Sequence, residues 1–93
     1  MQKLIEKIEE SKFFNKYGYK GHWISGSSTI VYPITHWIPS REIEIQIDPL
    51  VSHNGMTNSF KAMFNKLKDE FGLKEWFFVK NDGSCPEEYR IYY

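Results

Sequence analysis

His22, His36, His53 and Cys85 are the side chains of this 93-residue chain that could ligate a metal or supply a nucleophile and its base. No two of them stand at the short spacings that group zinc ligands along a chain. Imidazoles that face solvent or meet a backbone carbonyl are the expectation. A cysteine nucleophile needs a base within hydrogen-bond reach, and Cys85 sits beside Pro86 in a turn-forming stretch with no local activator. The carboxylates are better grouped, because Glu42, Glu44 and Asp48 alternate along REIEIQID. Residues two apart on a flat strand face stand roughly 6 to 7 Å from each other in water. That separation gives little cause for the divergent pKa values acid–base catalysis needs. A solvated acidic row, or a surface that steers a basic partner, is expected.

Gly26, Ser27 and Ser28 form the small-residue turn closest to a phosphate-binding loop, yet no Walker-type lysine follows and no helix begins there. A plain hairpin turn fits better. Tyr17, Tyr19, Lys20, His22 and Trp23 interleave rings with basic groups, a pattern on which single-stranded nucleic acid can stack. Trp23 and Trp37 equally suit core or interface anchors.

The element that must position these groups is the stretch Gly55 to Leu73. Met56, Phe60, Met63, Phe64, Leu67 and Phe71 recur at helical spacing, with Lys61, Lys66, Lys68, Asp69 and Glu70 off the stripe. Thr57, Asn58 or Ser59 could cap its first turn, and Gly72 followed by Leu73 suits a left-handed C-terminal cap. A first helix is expected from Gln2 to about Phe14, with Leu4, Ile5 and Ile8 on one side. Its like-charge pairs at four-residue spacing, Glu6 with Glu10 and Lys3 with Lys7, leave it dependent on tertiary packing. Phe13, Phe14 and Tyr17 should anchor its end before Gly18.

Tyr19 to Ser25 and Ser28 to Ile34 read as a hairpin about Gly26 and Ser27. Pro33 places the end of the second run, or a sheet edge, at that point. His36 to Pro39 then reads as an apolar loop. The tripeptide His-Trp-Ile occurs at 22–24 and 36–38, which two copies do not make a repeat. Arg41 to Asp48 is the clearest strand, because Ile43, Ile45 and Ile47 share one face and Glu42, Glu44, Gln46 and Asp48 the other. Lys20 or His22 could answer that acidic row from a neighbouring strand. Glu75 to Lys80 reads as a strand buried on both faces or lying at a covered edge. Asn81 to Gly83 forms a turn, Cys85 to Glu88 lengthens the connection, and Tyr89 to Tyr93 returns as a strand that could pair with a copy of itself at an edge.

The expected fold is α+β: one domain over residues 1–93, an antiparallel sheet of about four to five strands and two helices on one face, in the order α-β-β-β-α-β-β. Hydrophobic residues at 41% with 26% charged are globular proportions. Twelve basic and twelve acidic residues cancel, so no overall field draws the chain to nucleic acid or an anionic membrane. A single cysteine forms no internal disulfide, the charged segment QKLIEKIEESK lacks the apolar run expected of a signal peptide, and no run approaches a membrane span. A cytoplasmic protein is expected. The sparse use of alanine and arginine suggests an AT-rich genome, bacterial or viral.

The order α, β, β, β, α over Met1 to Leu73, with Gly26-Ser27-Ser28-Thr29-Ile30-Val31-Tyr32-Pro33 in the hairpin, faintly resembles the small HicA-type toxins, whose fold is similar to the double-stranded RNA-binding domain. The resemblance implies RNA binding or cleavage. In that family a catalytic histidine follows the glycine–serine pair, and here Ser28 stands in its place. HicA-type proteins are also usually basic, whereas this chain is neutral.

Three functions follow as expectations. The first is a small non-catalytic binding protein with a protein partner, acting as an inhibitor of phage or mobile-element type through Trp23, Trp37, Glu42, Glu44, Tyr92 and Tyr93. The second binds or cleaves RNA with His22 or His36 as acid or base and a basic surface joining Lys16, Lys20 and Lys61. The third holds a small nucleotide-like anion in a cavity beside Trp37. No cofactor, metal or membrane is expected in any of them, and a homodimer is allowed.

Overall fold

Alternation of isoleucine with polar residues makes one strand of this chain certain to lie on something apolar, and the computed structural model shows what. It describes residues 2–21, 33–80 and 87–93. Four strands form one antiparallel sheet: β1 (Ile34–Trp37), β2 (Glu42–Gln46), β3 (Glu75–Val79) and β4 (Glu88–Tyr92), in the spatial order β1-β2-β4-β3. Helices α1 (Gln2–Glu10), α2 (Lys12–Tyr17) and α3 (Met56–Phe71) pack on one face. The result is a single compact α+β domain. Because β2 and β3 each run antiparallel to β4, the α3 crossover joins two strands of like direction with β4 between them.

The core is the layer where Ile43, Ile45, Ile47, Tyr89 and Ile91 from the sheet meet Leu4, Ile8, Phe13, Phe60 and Leu67 from the helices. Phe60 stacks on Tyr89 with centroids 4.1 Å apart, and Phe13 meets both rings edge-on at 5.2 and 5.3 Å. Burial of rings of this size stabilises by roughly 1.5 to 3 kcal/mol each. The buried hydroxyls are partnered: Tyr89 meets Thr57 at 3.0 Å and Tyr17 donates to the Asn54 carbonyl at 2.7 Å. Burial pushes the Tyr89 phenol upward, opposed by the Thr57 hydrogen bond.

Several boundaries differ from the sequence reading. The N-terminal helix breaks at Ser11, whose Oγ accepts from the Phe14 N–H at 3.1 Å and donates to the Ile8 carbonyl at 2.6 Å, ending one helix and capping the next. The capping residue of α3 is Gly55 at φ 74°, without a side-chain bond, and Thr57 serves Tyr89 instead. Gly72 does form the left-handed C-cap, with Leu73 donating to Lys68 and buried behind it.

Residues 28–32 of the strand expected over Ser28 to Ile34 lie outside the described residues; β1 begins at Ile34 and takes in His36 and Trp37, which were expected in a loop. The Pro33 carbonyl accepts from Gln46 at 2.9 Å, so proline sits at the strand entrance, where its missing N–H costs nothing. β1 and β2 are joined by a turn at Ile38 to Arg41, closed by Arg41 N–H to the Ile38 carbonyl at 3.1 Å with Pro39 in its second position. Glu88 is not loop but the first residue of β4, and the terminal strand is central instead of marginal. Among the described strands β1 and β3 lie at the edges, and β3 leaves Phe77 and Phe78 exposed, so of the two readings of its apolar run the edge position holds and burial on both faces does not. The Gly26–Ser27 turn, most of the hairpin about it, and the Asn81 to Gly83 turn lie outside the described residues. No helix among the described residues is long and apolar enough to cross a membrane.

Candidate functional site

The helices occupy one face of the sheet and no described element covers the other. Register defines what that open face carries. With Ile43, Ile45 and Ile91 turned to the core, Glu42, Glu44 and Gln46 of β2 point outward, as do Glu88, Arg90 and Tyr92 of β4 directly opposite them. Phe77 pairs with Arg90, Glu75 with Tyr92, and Trp37 of β1 with Glu42. One row therefore reads Trp37, Glu42, Tyr92, Glu75, and the next Thr35, Glu44, Arg90, Phe77.

Arg90 is the centre of this face. Its Nε and Nη2 both lie 2.7 Å from Glu88 Oε1, and its Nε is 3.5 Å from Glu42 and 3.7 Å from Glu44. Glu88 is only 8% exposed, and such a carboxylate is retained when a charged donor meets it. That hydrogen bond, ahead of the opposing cost of burial, shifts the guanidinium further toward its charged form. Three carboxylates, Glu42, Glu44 and Glu88, share one guanidinium, leaving two negative charges uncompensated, and Glu75 adds a fourth carboxylate to the Tyr92 row.

Glu44 registers that excess. Its pKa is raised first by burial, with Glu88 and Glu42 adding to the rise, while the Trp37 side-chain hydrogen bond and Arg90 oppose it. Trp37 registers beside Glu42 and leaves its ring 50% exposed, and because indole can only donate its influence on Glu44 is that of a donor. Tyr92 donates to Glu42 at 3.3 Å, and its ring meets Phe77 edge-on at 5.7 Å. Rings and carboxylates are thus interleaved over two rows.

Of the residues expected to bind, the fold brings Trp37, Glu42, Glu44 and Tyr92 onto this one face. Tyr93 is not among them. It is 8% exposed on the helix side, where His36 Nε2 meets its hydroxyl at 2.6 Å and Arg41 lies over its ring at 4.7 Å. Asp48 leaves the acidic row because β2 ends before it, and its carboxylate accepts from the Leu50 N–H at 2.9 Å. Lys20 does not answer the row either, since its ammonium donates to the Phe14 carbonyl at 2.9 Å and lies over that ring. Trp23, His22 and Cys85 lie outside the described residues. Sequence reasoning missed Arg90, Glu88 and Phe77, all exposed to view only by the β2–β4–β3 register.

Among the described residues no three of His, Cys, Asp or Glu converge as metal ligands. A groove of about 590 Å³ opens between the N-terminal helices and α3, floored by Phe13, Met63 and Leu67 and rimmed by Lys7, Lys66 and Glu70. It lies on the helix side, away from the exposed ring of Trp37. Compared with known proteins, the chain matches no family model, no curated protein and no solved structure. No family match accompanies the faint resemblance to HicA-type toxins.

Proposed function

We propose that the chain is a non-catalytic binding protein whose open sheet face docks against a basic surface of a partner protein. The observation that carries this reading is the half-exposed Trp37 ring in register with Glu42, beside three carboxylates that one Arg90 does not neutralise. Aromatic rings supply the desolvated anchors that dominate interface energies, and an acidic surround steers lysine- and arginine-rich partners and rejects acidic ones. Charge is segregated to the same end. The three helices carry seven lysines against five carboxylates, so the net negative potential belongs to the sheet face.

Comparative capture tests the reading. The tagged chain, Trp37→Ala and the double variant Glu42→Lys, Glu44→Lys are exposed to nuclease-treated lysate of the source cells. A basic protein retained by the parent and lost by both variants supports docking at this face. A partner retained equally by all three overturns it, as does recovery of nucleic acid alone when nuclease is omitted.

A further inference from the structure

The geometry points to the free edge of β3 as a self-pairing surface through which two copies of this chain form a symmetric dimer. This goes beyond the docking reading, because β3 and the Trp37-bearing β1 are opposite edges of the sheet. Edge strands are ordinarily guarded by lysine, proline, a bulge or a covering element. Glu75–Val79 reads EWFFV, with neither lysine nor proline inside it, and no strand among the described residues pairs with its outer edge. Phe77 is 50% and Phe78 38% exposed there.

The direction of the free backbone groups follows from the ladder. Tyr93 N–H donates to the Arg41 carbonyl, so residues 93, 91 and 89 turn their main-chain groups to β2, and 92, 90 and 88 turn theirs to β3. Their partners Glu75, Phe77 and Val79 are thereby used. Trp76 and Phe78 present N–H and C=O groups to the open edge.

A two-fold axis perpendicular to the sheet at Phe77 sets Phe77 against Phe77 of the second copy, and Trp76 against Phe78 twice. Every aromatic side chain of the strand then meets an aromatic one, a favourable cross-strand pairing. The free groups of Trp76 and Phe78 meet in hydrogen-bonded pairs, and Phe77 falls at the more closely spaced non-hydrogen-bonded position. Centring the axis on Trp76 would set Glu75 against Phe77, and centring it on Phe78 would set Trp76 against Lys80. Only one register is self-complementary. Its opposing element is at the rim, where Lys74 faces Lys80 of the second copy, so pairing tightens as salt screens that repulsion.

Sedimentation velocity on the full chain over a concentration series tests the proposal. The expected result is a concentration-dependent rise from the 11.1 kDa chain mass to twice that value, strengthened by salt. Phe77→Lys, with its circular dichroism unchanged, weakens association by about tenfold or more. In a Cys85→Ser background, Phe77→Cys forms a disulfide-linked dimer on mild oxidation, because directly opposed non-hydrogen-bonded residues have a separation that a disulfide can span. Glu75→Cys, opposed to Val79, does not. A chain monomeric up to its solubility limit overturns the proposal and leaves the edge to a strand of another protein. A dimer indifferent to Phe77→Lys, or one cross-linked through position 75 in preference to 77, overturns it equally.

Discussion

Arg90 meets Glu88 through two nitrogens at 2.7 Å on a single carboxylate oxygen, across the middle of an otherwise acidic sheet face. The pair spans only two residues of one strand, so it forms wherever β4 forms. Its effect is wider, because the same guanidinium is the counter-charge for Glu42 and Glu44. Replacing Arg90 by methionine leaves a nearly buried carboxylate beside two others. The expected loss is about 1 to 2 kcal/mol, below the value for a fully buried pair because Arg90 is partly solvated. Urea denaturation at neutral pH measures it, and acidification that protonates the cluster should narrow the gap.

Glu44 gives a pH dependence of definite sign. Its pKa is raised in the folded state from an ordinary 4.5, chiefly by burial. The folded chain therefore binds more proton than the unfolded one between those values, and stability falls as pH rises from 4.5 through the folded pKa. Glu44→Gln keeps an acceptor for the Trp37 N–H and removes the charge. The variant should be more stable than the parent at neutral pH, and the difference should shrink toward zero below pH 4.5, as read by urea melts at the two extremes.

Two glycines separate strain from crowding. Gly72 sits at φ 65° with nothing near a would-be Cβ, so Gly72→Ala should cost about 1 kcal/mol through its backbone alone. Gly18 has ordinary dihedrals, but a Cβ there would stand 2.3 Å from Phe14 Cδ2 and 2.6 Å from the Phe14 carbonyl. Gly18→Ala should cost more, about 2 to 3 kcal/mol. Equal shifts in the two melting curves would contradict this ordering.

Phe60 is fully buried among Phe13, Tyr89 and Trp76. Phe60→Ala should cost about 3 to 5 kcal/mol, a large part of the stability of a domain this size. Leu50, 87% exposed, is the control. Its alanine variant should melt within about 0.5 kcal/mol of the parent.

The strand with isoleucine at 43, 45 and 47 and the helix with a continuous apolar stripe were legible because period 2 and period 3.6 are local patterns. The acidic row was legible for the same reason. Its guanidinium was not, since Arg90 reaches Glu42 and Glu44 through a register between segments more than forty residues apart. Glu75 to Lys80 left two readings open because an apolar run is the same string whether its strand is sandwiched or lies at an edge, and only the sheet order decides for the edge. The break at Ser11 did carry a signal, a serine ahead of Phe13 and Phe14, which is how an N-cap reads. Of the two readings of Pro33, a strand end or a sheet edge, the edge agrees with β1, which is an edge strand among the described residues. Pro33 marks the entrance of β1, and the β-favouring Thr35, His36 and Trp37 continue from it.

Trp37 is the anchor of the docking we propose between the open face and a basic protein. Calorimetric titration of the captured partner into the parent chain and into Trp37→Ala tests it most directly. A loss of about 2 kcal/mol or more, with affinity that also falls as salt rises, is the predicted result. Unchanged affinity in the Trp37→Ala titration, or binding indifferent to salt, would contradict it.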